Sequence, residues 1–120
     1  MPKFLLILRG DPAAWQRRSP DEIQAVIAAF ETWAGRLMGE GRFLDGKKLA
    51  DGEGRVLRRD GSVLQVSDGP FGETKELVGG VHLIEADSYD HVVELCRQHP
   101  ELDIDGTVEI RRLDPMGTPE

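Results

Sequence analysis

Phe4-Leu5-Leu6-Ile7-Leu8 is an unbroken apolar run. Such a run reads as a strand covered on both faces, because successive side chains of a strand point opposite ways. A turn is expected at Gly10-Asp11-Pro12, followed by the clearest helix start in the chain, Ser19-Pro20-Asp21-Glu22. Ser19 can cap an orphan N–H, Pro20 suits the first helical position and Glu22 completes a capping box. Ile23, Val26, Ile27, Phe30, Trp33, Ala34, Leu37 and Met38 then recur at helical spacing and give one wide apolar face. Gly39 or Gly41 supplies the left-handed stop.

The segment 42–50 is ambiguous, with Phe43, Leu44 and Leu49 hinting at a short strand among Gly and Lys. Asp60-Gly61 between Val56-Leu57-Arg58-Arg59 and Ser62-Val63-Leu64-Gln65-Val66 is a hairpin signal. A two-residue turn there sets Arg59 opposite Ser62, Leu57 opposite Leu64 and Arg55 opposite Val66. Val81 to Ala86 reads as another strand, and Asp87 or Ser88 caps a second helix that stops at His99-Pro100. Thr107 to Leu113 is the last strand, with Val108 and Ile110 alternating against Glu109 and Arg111. Residues 1–113 thus form one domain, and 114–120 form a tail expected to be disordered. The order is strand, helix, hairpin region, strand, helix, strand: an α+β, ferredoxin-like βαββαβ pattern with an extra β-hairpin.

Two helices cover only one face of such a sheet, yet the first strand is apolar on both. The open face must meet another apolar surface, since monomers avoid large exposed patches. The segment 42–56, rich in Gly, Lys and Asp, is a poor cover. Sheet-to-sheet packing of two copies satisfies the requirement, so a homodimer is expected.

Composition narrows the function. There are 22 carboxylates against 15 Lys and Arg, for a net charge of −7, and the basic pairs are scattered, which disfavours nucleic acid. The N-terminal apolar stretch is too short for a signal peptide, and no run approaches membrane-spanning length. The lone Cys96 cannot form an internal disulfide, so the expected location is the cytoplasm.

Candidate chemistry gathers in Asp68-Gly69-Pro70-Phe71-Gly72-Glu73-Thr74-Lys75-Glu76. Asp68, Glu73, Lys75 and Glu76 can line a pocket mouth, where crowded carboxylates raise one another's proton affinity. The structural alternative makes Asp68 an Asx-turn acceptor, with Phe71 plugged into the core. His82 shares a strand side with Ile84 and Ala86. On the open face it is the best proton-transfer candidate; against the helices it is a hydrogen-bonded core histidine. Arg111, which shares a strand face with Glu109, can hold a substrate carboxylate through a bidentate pair, or sit in a cross-strand ion pair near the sheet edge. His91 and His99, at helix ends, read as solvated or as charges favoured by a helix C-terminus. No motif specifies a metal or a cofactor, and neither is expected. Gly41 to Lys47 imitates a phosphate-binding loop, but Lys48 stands where Ser or Thr is needed, and no long helix can begin at Leu49-Ala50-Asp51-Gly52.

The 68–76 stretch, with Val78-Gly79-Gly80 and a strand after it, resembles the signature of the DGPF family within the YCII-related group. The first strand, the Ser19 helix start, Asp60-Gly61, Pro100 and Val108-Glu109-Ile110-Arg111 fit it in order and spacing. Two positions depart: Arg112 stands where the family usually has Pro, and His82 where it favours an aromatic residue. The resemblance implies a dimeric α/β barrel, shared with muconolactone isomerase-like and dehydrochlorinase-like enzymes that act on small aromatic-derived acids. Shorter YCII-type members are thought to use a His–Asp pair with the His early in the first helix; residues 20–30 here contain no His. The resemblance implies no single activity, and two readings stand beside it. One, from the candidate residues above, is a small-molecule enzyme or binder with a compact, carboxylated ligand, Asp68 and His82 as proton carriers and Arg111 as anchor. The other is a non-catalytic regulatory module that partners an extracytoplasmic-function sigma factor.

Sedimentation at micromolar concentration is expected to show a species of twice the 13.3 kDa chain mass. A folded particle of the chain mass alone would rule out the shared-sheet packing.

Overall fold

The computed structural model describes residues 1–69 and 77–115. Pro70, Phe71, Glu73, Lys75, Glu76 and the end of the expected tail lie outside the described residues. Strand β1 (Lys3–Gly10) is central. It pairs antiparallel with β5 (Leu77–Glu85) on one side and β6 (Thr107–Arg112) on the other, and β2 (Phe43–Lys48) completes the sheet beyond β5. The spatial order β2-β5-β1-β6 interleaves two split βαβ units, the ferredoxin-like arrangement expected from the element order. The ambiguous segment after Arg42 is therefore an edge strand.

Helix α2 (Pro20–Gly39) begins as its sequence dictates. The Ser19 hydroxyl accepts from the Glu22 N–H at 3.2 Å, and the Glu22 carboxylate accepts from the Ser19 N–H at 3.1 Å. It ends in a Schellman motif: the Arg42 N–H donates to the Leu37 carbonyl and the Gly41 N–H to that of Met38. Gly41 takes φ +72°, which only glycine adopts without a Cβ penalty. Trp33 and Leu37 are buried, whereas Ile27 and Met38, at the margins of the expected apolar face, are exposed. Helix α3 (Tyr89–Cys96) is capped by Ser88, and a 3₁₀ turn (Pro100–Asp103) follows it.

Two features differ from the sequence expectation. The Gly10-Asp11-Pro12 turn opens a short helix, α1 (Pro12–Gln16), because the Asp11 carboxylate caps the Ala13 N–H at 2.9 Å. The hairpin of β3 (Arg55–Asp60) and β4 (Val63–Asp68) turns at Gly61-Ser62 rather than Asp60-Gly61. Gly61 takes φ +61° at the first turn position, and Ser62 is not left-handed, so the turn is of type II′. That spares Asp60 a positive φ and pairs Arg59 with Leu64, Leu57 with Val66 and Arg55 with Asp68. This ribbon is a separate two-stranded sheet.

Phe4, Leu6 and Leu8 face the helices and are buried with Trp33, Leu37, Ile84, Val92 and Cys96. Leu5, Ile7, Val81 and Leu83 occupy the opposite sheet face, half-buried and, among the described residues, without a helix over them. No helix among the described residues is long and apolar enough to cross a membrane.

The capping geometry predicts that Ser19→Ala lowers stability by about 1 kcal/mol in urea unfolding. An unchanged midpoint would show that the box adds nothing beyond the packing of α2.

Candidate functional site

The register places Gly80 opposite Leu8 and His82 opposite Leu6, so both face the helices. On β2, Gly46 lies opposite His82 on that same side. A Cβ on Gly46 would come within 2.8 Å of the Phe43 ring, and one on Gly80 within 3.0 Å of the Lys47 carbonyl oxygen. The space over both glycines is thus already taken, by the Phe43 ring and by the β2 backbone, and only the smallest residue fits at either position. Beside this tight contact, beneath α2, lies a pocket of about 500 Å³. Trp15, Ile27 and Phe30 stand along its helical side, the 49–53 loop flanks it, and His82 and Glu101 supply polar groups. Apolar walls with a few polar groups are the usual make-up of a small-molecule site.

His82 sits in a cluster of rings. Trp33 stacks on it with centroids 5.4 Å apart, and Phe43 lies 5.2 Å away at a tilt. Its Nδ1 is 3.2 Å from Nε2 of His99, which is fully buried. The Glu101 backbone N–H donates to His99 Nδ1 at 3.1 Å. Burial disfavours both imidazolium forms: it pushes the pKa of His82 down to about 4 and that of His99, with the added charge of His82 against it, to about 3. Both rings are neutral at pH 7. Glu101 moves the other way, its carboxyl pKa raised by burial against the opposing pull of Lys48. The Glu101 side chain runs over Gly106, where a Cβ would come within 2.6 Å of its Cγ.

The residues marked in the sequence do not converge here. His82 lines the pocket, on the helix-covered side rather than the open face. Asp68 ends β4 on the ribbon, 93% exposed and 3.5 Å from Arg55. Arg111 lies opposite Leu5 on the other sheet face, 3.5 Å from the Glu109 carboxylate, which also pairs with Arg9. Glu73, Lys75 and Glu76 lie outside the described residues. His99, read from sequence as a solvated helix-end residue or a charge favoured by a helix C-terminus, is a buried neutral ring instead, packed against Trp33 at 4.4 Å beside Pro100. The missed signal is local. A histidine just before a proline that opens a helical turn stands at a cap position, where side chains fold back onto backbone N–H groups. Among the described residues no three His, Cys, Asp or Glu side chains are grouped to hold a metal.

An antiparallel βαββαβ sheet, two crossover helices on one face and a pocket beneath one of them define a ferredoxin-like α+β domain. The chain belongs to the YCII-related domain family, whose model matches residues 3–117. Among solved structures it is similar to 5-chloro-2-hydroxyhydroquinone dehydrochlorinase (TftG) from Burkholderia phenoliruptrix AC1100, in complex with 2,5-dihydroxybenzoquinone. The TM-score is 0.53 with 18% identity over 93% of each chain, a likeness of fold. No curated protein matches the chain.

The neutral histidine pair gives stability a defined pH dependence. Each folded-state pKa lies below the unfolded 6.5, so the unfolded chain binds more protons as pH falls. The contribution is complete above pH 6.5 and is lost as pH drops through about 4 and then about 3. Glu22, Glu94 and Glu109, with pKa values lowered from 4.5, act at still more acidic pH, and Glu101 acts in the opposite sense. Urea midpoints are expected to fall between pH 7.5 and 5.5. A flat profile there would mean the pair is not buried as a neutral unit.

Proposed function

We propose that the chain binds a compact ring-bearing small molecule in the pocket beneath α2 and moves a proton on it, with His82 and Glu101 as the polar groups that meet the ligand. The observation that carries this is the pocket itself: apolar and aromatic walls around a histidine with one ring nitrogen free. His82 Nε2 has no protein partner among the described residues, and no buried side-chain nitrogen or oxygen there lacks one, so this atom opens toward the pocket. A carboxyl with raised proton affinity lines the same space and suits general acid–base work. Arg18 and Lys48, which line the pocket, fit a ligand that also carries a carboxylate. The ring bound by the similarly folded dehydrochlorinase supports a ligand of this kind. Asp68 and Arg111 take no part in this site. The uncovered face around Leu5, Ile7, Val81 and Leu83 is proposed to pack against a second copy, with Arg9, Glu109 and Arg111 along its margin.

The test is a thermal-shift screen with 2,5-dihydroxybenzoquinone and hydroxylated benzoates. Saturation at a hundredfold excess over Kd is worth about 2.7 kcal/mol. Ile27→Trp, on an exposed helical position that borders the pocket, is expected to abolish the shift while leaving the unliganded melting temperature nearly unchanged. A wild-type protein that no compound stabilises, or equal shifts in wild type and Ile27→Trp, would refute the assignment of the pocket.

A further inference from the structure

The histidine pair carries more information than its burial, because one of its hydrogen bonds has only one possible direction. The donor to His99 Nδ1 is the Glu101 backbone N–H, at 3.1 Å. A backbone N–H cannot accept, so His99 Nδ1 bears a lone pair. The ring is neutral, and its proton sits on Nε2, which points at His82 Nδ1 across 3.2 Å. That nitrogen must then accept. His82 is neutral too, and its own proton is left on Nε2, the atom that opens to the pocket. Placing a proton on both nitrogens of the 3.2 Å gap would set two donors head to head in a ring-lined interior.

The origin of this order is local. Pro100 begins the 3₁₀ turn with His99 as its cap, which aims the free N–H of Glu101 at the imidazole. Trp33 holds both rings from one side, with Phe30 edge-on at 5.6 Å from His99 and 6.3 Å from His82.

We propose that the Glu101 backbone N–H, acting through His99, locks His82 in the tautomer with its proton on Nε2, so that the pocket presents a fixed hydrogen-bond donor and selects ring ligands bearing a carbonyl or phenolate-type acceptor oxygen. The proposal rests on the pocket assignment above and adds the polarity of the ligand atom that His82 meets. His99 is a positioning residue: it touches no ligand and sets the orientation of a proton one ring away. His82 in this state steadies negative charge that develops on the acceptor oxygen, and proton removal falls to the Glu101 carboxyl.

Two measurements separate the lock from the pocket. Two-bond ¹H–¹⁵N correlation spectra of the wild-type protein at pH 7, without ligand, are expected to show Nε2–H tautomers at both His82 and His99. An Nδ1–H signal at His82 would overturn the proposal whatever the pocket binds. His99→Gln, whose amide can still donate to His82, is expected to keep the tautomer, and His99→Leu to release a mixture; a tautomer unchanged in a folded His99→Leu protein would remove His99 from its role. The second measurement titrates acetophenone and α-methylstyrene, alike in shape but with and without an acceptor oxygen. The preference for acetophenone over α-methylstyrene is expected to drop about three- to tenfold in His82→Phe, the span of one net hydrogen bond. If both compounds bind with an unchanged ratio, the pocket stands and the donor assignment falls. If neither binds, the pocket assignment fails and the ligand selection proposed here fails with it.

Discussion

Trp33 is enclosed between the sheet and the second crossover, donates its indole N–H to the Leu95 carbonyl at 2.9 Å, and lies against His82 and His99. That one side chain ties α2 to the end of α3, and to the strand that bears the candidate site. Truncating an aromatic residue so buried costs about 3–5 kcal/mol, a large share of the roughly 5–15 that hold a domain together. The site therefore shares its support with the core. Its histidines are held by packing first and by hydrogen bonds second.

Beside the pocket the strands are packed tightly around small residues. Gly46 and Gly80 lie where β2 and β5 pass beneath α2, and neither can gain a Cβ without pressing on Phe43 or on the Lys47 carbonyl. Close packing of this kind leaves few voids in a domain of this size. A cavity of about 500 Å³ with polar groups at one side therefore stands out against its surroundings.

What could be read in advance follows the range of the interactions. The α2 start and stop, the central apolar strand and the order of the elements are fixed by neighbours within a turn or two, and Ser19, Glu22 and Gly41 act as their residue types dictate. Alternation told which residues share a side with His82, but not which side the helices cover, since a strand's period is the same either way. The pairing of His82 with His99 joins residues 17 positions apart through a chain reversal. No periodicity encodes that. The hairpin slipped by one residue for a subtler reason: Asp-Gly and Gly-Ser overlap in Asp60-Gly61-Ser62, and the backbone chose the turn that asks only glycine to be left-handed.

The excursion that carries the β3–β4 ribbon leaves the sheet and rejoins it at almost one point. Lys48 pairs with Gly80, and the Leu49 N–H donates to the Gly79 carbonyl at 2.9 Å. The described residues between, with the β3–β4 ribbon, form an excursion from that point, and the length of a loop closed there changes the chain entropy only slowly. The first residues of that excursion, 49–53, nevertheless form one wall of the cavity. Frame and cavity wall are thereby separable: an exchange of the segment for one of different length and chemistry would reshape the cavity while the four-stranded frame keeps its register.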